Sequence, residues 1–265
     1  MEDESFPPKL EYGLNIASYI ILEQIGKVNS ILSCLLFTLH YSLISKGVFG
    51  RVFRAHSLMT SVCVAIKFLR RSALYFEQSK VEVACLWKLR NKSIPVVRII
   101  EAFTCNNFPV IVFEMLGESV HRYRLCKANK RMLDVEVYVT SKRLLEVLAY
   151  LSRKDVNIIH GDIKPENVLL TPSLNFDVKL IDFGSSCMTL DQQYSYIQSR
   201  RYRAPEVYFQ QGGYTPAVDM WSFGCLVAEL YSGKPLFGAN SSDLLFLVSG
   251  PAHSTYPLHI HLFYK

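Results

Sequence analysis

The sequence predicts an α+β chain in two lobes, a small β-rich lobe followed by a larger helical one. Three observations predict it. Short β-branched runs crowd the first half. Helical periodicity with recognisable start and stop residues dominates the second. The change between them falls near Glu114 to Gly117.

The elements follow in order. ILEQIGK, ending at Lys27, reads as a first strand. VCVAIKFL, Val62 to Leu69, has the β-branched content and length of another. Alternation of faces along it puts Ala65 and Lys67 on one side. From Ser79 to Leu89, helical spacing places Glu82 with Cys85, Leu86 and Leu89, a carboxylate on an apolar stripe. VVRIIEAF and PVIVFEML are two more strands, separated by the turn residues Cys105-Asn106-Asn107. In the second half, Asp134 to Leu151 sets Leu144, Leu145, Leu148 and Leu151 on one helical face. Thr215-Pro216 opens a further helix, Thr as N-cap and Pro at the first helical position. It runs through Ser232 and stops at Gly233. Being apolar nearly all round, it is expected to be buried.

The 265 residues suffice for one large domain or two lobes, and half of them are apolar. A net charge of +6 permits acidic partners without requiring nucleic acid, so no direct nucleic-acid binding is expected. Seven cysteines without a CxxC pair fit reduced thiols in the cytosol or nucleus. MEDESFPPK has no basic-then-apolar signal pattern. The longest apolar stretch, Ile31 to Ile44, is broken by serines and His40 and is too short to span a bilayer. A cytoplasmic or nuclear monomer, free of membranes, is therefore expected. His253, His259 and His261 near the C-terminus match no common metal-site spacing.

The chemistry starts from Glu82. A carboxylate buried alone is costly and needs a cation, and inward-facing Lys67 is the natural partner. The alternative is that both charges reach solvent at the lobe edge. Further on stand HGDIKPENVLL, His160 to Leu170, and then KLIDFGSSC with Asp182-Phe183-Gly184. Phosphoryl transfer needs a carboxylate at the substrate hydroxyl, oxygen ligands for Mg²⁺ and cations on the phosphates. Asp162 can be the base, Asn167 and Asp182 can hold Mg²⁺, and Lys164 can reach the transferring phosphate. Each residue alone would more often be surface polar. The ordered set, from Lys67 and Glu82 through Asp162, Lys164, Asn167 and Asp182-Phe183-Gly184 to Ala204-Pro205-Glu206, is what carries the assignment.

With these motifs the chain resembles the eukaryotic protein kinases over roughly Tyr19 to Leu245. DFGSSC, YSYIQSRRYRAPEV (Tyr194 to Val207) and the hinge stretch VFEML narrow this to a resemblance to the dual-specificity tyrosine-regulated kinases of the CMGC group. The resemblance implies an ATP- and Mg²⁺-dependent kinase acting on Ser and Thr of protein substrates, which phosphorylates its own activation-loop tyrosine in cis. It implies an ATP site drawn from Ser45, Gly47, Gly50, Val52, Ala65, Lys67 and Glu82. There Phe113 is the gatekeeper and the backbone of Glu114 and Leu116 meets adenine. The implied organisation is an extension over 1–18 and a kinase domain over 19–250, then an unassigned tail over 251–265. Within the domain the N-lobe covers about 19–113, the hinge 114–117 and the C-lobe 118–250.

Four departures stand against the family pattern. Gly161 replaces the arginine or cysteine that precedes the catalytic aspartate, so an arginine clamp on a phosphorylated loop is missing. Arg200 and Arg203 are then the cations expected to receive a phosphate on Tyr196. Arg201 stands where relatives carry an aromatic residue, beside the expected substrate-docking loop. Only about 59 residues follow Glu206, which is expected to cut the C-lobe short and to leave Glu206 without its arginine. Finally, residues 28–46 split the glycine-rich loop. As it stands the loop reads S-x-G-x-x-G from Ser45 to Gly50. Without Val28 to Lys46 it would read IGKGVFGRVFRA, which suits an in-frame retained intron. The insert and the short C-lobe keep a second class open, an inactive or weak kinase fragment acting as a binding module.

Overall fold

The structure, a computed structural model, describes residues 15–28, 50–188, 197–209 and 213–238. Ser45, Gly47, Tyr196, the interior of the insert and the C-terminal histidines lie outside the described residues.

The first lobe is an antiparallel sheet of six strands in the order β1-β2-β3-β4-β6-β5. They are β1 (Asn15–Ile16), β2 (Tyr19–Val28), β3 (Gly50–Ser57), β4 (Cys63–Leu69), β5 (Ile99–Cys105) and β6 (Phe108–Glu114). The first hairpin therefore starts ahead of residue 19, and Ile16 is buried in it. Asn106 and Asn107 both take positive φ in the β5–β6 turn, a conformation asparagine tolerates better than most residues. The sheet is apolar on both sides, and the side chains on both are buried. One side carries Phe53, Ala55, Val64, Ile66, Phe68, Val110 and Val112 in a core of their own. The other packs Ala65, Leu69, Ile99, Ile111 and Phe113 with Leu86 and Leu89 of helix α1 (Ala73–Leu89). Burial on both sides explains why β4 and β6 read as continuous apolar runs rather than alternating ones. Helix α1 begins six residues before the predicted Ser79, because Ser72 caps it through the Tyr75 N–H.

The ladder between β2 and β3 continues to Val28 opposite Gly50. Val28, placed in the insert from sequence, is thus still a strand residue, and the connection leaves from the end of the hairpin. Gly50 must be glycine, since a Cβ there would sit 2.0 Å from the Phe68 carbonyl oxygen.

The second lobe holds α2 (Val120–Leu125), α3 (Asp134–Leu151), the short strands β7 (Ile158–Ile159), β8 (Val168–Leu170), β9 (Val178–Leu180) and β10 (Cys187–Met188), then α4 (Pro205–Tyr208) and α5 (Ala217–Ser232). β7 pairs with β10 and β8 with β9, both antiparallel. Leu144, Val147, Leu148 and Leu151 of α3 pack with Phe223, Leu226 and Leu230 of α5, and this core is continuous with that under α1. Leu145, grouped from sequence with its neighbours, is instead 42% exposed, because the stripe that meets α5 is narrower than a run of leucines suggests. Helix α5 starts one residue later than predicted. Pro216 is its N-cap, and Thr215 Oγ1 accepts from the Ala217 N–H at 3.3 Å. It is less uniformly apolar than expected. Met220 and Tyr231 are exposed, while Asp219 and Glu229 are buried. The Glu229 carboxylate is paired with Arg124 of α2 and accepts from the Tyr202 hydroxyl at 2.6 Å, so the buried charge is fully met. Among the described residues no helix is long and apolar enough to cross a membrane.

Candidate active site

Strand β4 delivers Lys67 and helix α1 delivers Glu82 to the cleft between the lobes, both buried. Lys67 Nζ donates to both Glu82 oxygens at 2.7 and 2.8 Å and to Asp182 Oδ1 at 2.9 Å. The expected pairing is therefore formed, and the reading that leaves both charges at the lobe edge fails. Burial by itself pushes the Lys67 ammonium down. The charges of Asp182 and Glu82 outweigh it and hold this lysine above its ordinary range. One ammonium serves two carboxylates unequally. Burial raises Glu82 by more than Lys67 lowers it, with Asp182 adding to the rise. For Asp182 burial also raises, but Lys67 outweighs it and Lys164 helps, so it stays below the usual carboxylate range.

The loop between β7 and β8 supplies the second group. Asp162, Lys164 and Asn167 are all buried. Lys164 Nζ donates to Asp162 Oδ2 at 2.5 Å and to Ser199 Oγ at 2.9 Å. Ser199 Oγ donates to Asp162 Oδ1 at 2.7 Å. Asn167 Nδ2 donates to the Asp162 carbonyl at 2.8 Å and to Oδ2 at 3.0 Å. This fixes the Asn167 amide with its oxygen turned the other way. Among the described residues that Oδ1 is buried without a hydrogen-bond partner. An orphaned amide oxygen and a carboxylate held below its usual range are the donor set a hard cation such as Mg²⁺ takes. Asn167 and Asp182 are the residues that would hold a divalent ion here.

Several contributors were not singled out from sequence. Asp219 of α5 accepts from the His160 N–H at 2.6 Å and the Gly161 N–H at 3.0 Å, pinning the start of the loop from below. Burial raises its carboxyl, and the two N–H donors only partly offset this. The His160 ring stacks edge-on against Phe183 at 4.7 Å. Its Nε2 lies 3.0 Å from the Ile181 carbonyl, and its Nδ1 accepts from the Asp162 N–H at 3.2 Å. Ser199 was not foreseen either. A carboxylate inside a helix as apolar as DMWSFGCLVAEL was the available signal for Asp219. The Gly161 departure has a local reason. Its φ is +74° and a Cβ would stand 2.7 Å from the Ser185 carbonyl oxygen, so glycine relieves strain there.

The remaining expected residues fall as follows. Val52, Ala65, Phe113 and Leu116 belong to one apolar cluster, and Glu114 ends β6 at the hinge. Arg203 is buried. Its guanidinium donates to the Ile197 carbonyl at 2.8 Å and to the Gln198 carbonyl at 2.6 and 3.1 Å. Arg200 opens the 3-10 turn Arg200–Tyr202, and Arg201 is exposed. Glu206 is half-buried, and among the described residues no cation pairs with it.

A two-lobed fold with an ammonium between two carboxylates, beside a buried Asp-Lys-Asn loop, is the arrangement that phosphoryl transfer calls for. The chain belongs to the protein kinase family, whose sequence model for the protein kinase domain matches residues 40–249. Within that family it is similar to the dual specificity protein kinase YAK1 homolog of Arabidopsis thaliana, 43% identical over 77% of this chain and 22% of the relative. It is similar as well to the human dual specificity tyrosine-phosphorylation-regulated kinase 3, 39% identical over 77% of this chain and 35% of the relative. The serine/threonine-protein kinase ppk15 of Schizosaccharomyces pombe is 41% identical over 74% of this chain and 37% of its own length. The chain thus spans well under half of each of these relatives.

Proposed function

We propose that this chain is an ATP- and Mg²⁺-dependent protein kinase acting on Ser and Thr, and that it phosphorylates its own Tyr196. The observation that carries the reading is the Lys67–Glu82–Asp182 ion set assembled opposite Asp162, Lys164 and Asn167. Asp162 accepts and orients the substrate hydroxyl proton, and Lys164 meets the charge of the group in flight. Lys67, held by Glu82, positions the phosphates. Asn167 and Asp182 hold Mg²⁺, which when bound offsets the phosphate charge. A monomer in the cytoplasm or nucleus, with protein substrates and no nucleic-acid or membrane contact, completes the reading. Mg²⁺-dependent binding of ADP by the purified chain, followed by a peptide phosphorylation assay, tests it. Absence of nucleotide binding would leave the alternative of a binding module.

Tyr196 is expected to be phosphorylated in protein made in bacteria, with Arg200 and Arg203 meeting the phosphate. Peptide mapping reads it directly, and an active preparation with unmodified Tyr196 would overturn the idea. Deleting residues 28–46 would leave Gly47-Val48-Phe49-Gly50 between Lys27 and Arg51, which face each other in the ladder. Four residues is a common hairpin length. Closing the longer loop costs only about 1 kcal/mol, so the fold tolerates the insert while phosphate positioning suffers. Removing it is expected to strengthen nucleotide binding. Unchanged affinity, with these codons in the main transcript, would make the insert a genuine feature.

A further inference from the structure

Glu114 ends β6 and begins the hinge, yet its carboxylate is mostly buried, with 19% of the side chain exposed. One oxygen, Oε1, accepts from the Arg98 backbone N–H at 2.7 Å and from Lys179 Nζ at 2.6 Å. Lys179 is the middle residue of β9, three residues before Asp182. Backbone bonds gather at the same junction. Glu114 N donates to the Arg98 carbonyl at 3.0 Å, Val97 N to the Leu180 carbonyl at 2.9 Å, and Leu180 N to the Pro95 carbonyl at 2.9 Å. The segment ahead of β5, the hinge and the strand leading to Asp182 therefore meet at one carboxylate oxygen.

We propose that Glu114 and Lys179 are a positioning pair that sets the span between the hinge and Asp182, and so tunes affinity for Mg-nucleotide. The proposal rests on the reading of the cleft as an ATP site. A nucleotide bridges that span, adenine at the hinge and phosphate-bound metal at Asp182. β9 lies outside the six-stranded sheet and pairs with β8 over three residues only, so the sheet does not fix its distance from the hinge. Backbone bonds tie β9 to the segment ahead of β5, and the Glu114–Lys179 bond adds the direct side-chain tie between β9 and the hinge. It is closed while the Lys67–Glu82–Asp182 set is formed, so it supports the assembled cleft rather than opposing it. A span held in place before binding spares the ligand the work of ordering it. Neither side chain is asked to touch the reacting atoms.

The test is Lys179→Met, which keeps the stem and removes the charge, with Lys179→Arg as the conservative partner. Kd for Mg-ADP by calorimetry, KM for ATP, kcat and the melting temperature are measured on the 265-residue chain. Lys179→Met is expected to raise Kd and KM about fivefold with kcat within about twofold, and Lys179→Arg to restore the parent values. If the parent chain binds Mg-ADP and Lys179→Met binds it equally well, the pair does not position nucleotide and the proposal falls alone. A loss of affinity that merely follows a lower melting temperature, unrescued by arginine, overturns it too. A parent chain that binds no Mg-ADP overturns the functional reading and this proposal with it.

Discussion

Asp162→Asn is expected to lower kcat by about a thousandfold, while Kd for Mg-nucleotide changes by about twofold or less. The asymmetry follows from position. Both Asp162 oxygens are spoken for within the transfer loop, Oδ1 by Ser199 and Oδ2 by Lys164 and Asn167. None reaches Lys67, which belongs to the nucleotide side with Glu82 and Asp182. An asparagine keeps the shape and one acceptor but cannot take a proton from the substrate hydroxyl. Asp182→Asn should show the opposite pattern. It removes the charge that Lys67 and a bound cation share, and nucleotide affinity should fall roughly tenfold or more. Steady-state kinetics beside calorimetry separate the two. An Asp162→Asn protein with parental turnover would end the assignment of this loop.

Asp219→Ala is expected to have the largest effect on stability among single substitutions at the site. Its carboxylate is 1% exposed and takes the N–H groups of His160 and Gly161. Alanine leaves both donors buried and unpaired, at about 1–3 kcal/mol each. A total near 3 kcal/mol lowers the melting temperature by roughly 10 °C in a domain of this size. Turnover should fall further than stability explains, because His160 and Gly161 begin the loop that carries Asp162. Asp219→Asn retains one acceptor and should lie between. Thermal melting by circular dichroism is the check. An unchanged midpoint would mean that the loop is held by its other contacts, chiefly His160 against Phe183 and Ile181.

Lys67, Glu82, Asp162, Lys164, Asn167 and Asp182 could be named from the sequence as one ordered set, and local patterns place its members: strand alternation puts Lys67 on one side with Ala65, helical spacing puts Glu82 on the stripe with Cys85, Leu86 and Leu89, and short fixed offsets tie Lys164 and Asn167 to Asp162. The two-lobe division was legible for the same reason, since period and turn residues change visibly at the hinge. What the sequence hid depends on partners far along the chain. Asp219 reads as a stray charge in an apolar helix until the fold brings two unpaired N–H groups onto it. Leu145 reads as core until α5 takes only the stripe of Leu144 and Leu148. Glu114 reads as a hinge residue valued for its backbone until β9 places Lys179 against its side chain. Local periodicity is a property of a few consecutive residues and can be read from them. The satisfaction of a buried charge or N–H group is settled only when distant segments are packed together, since burial and the partner arrive in the same step.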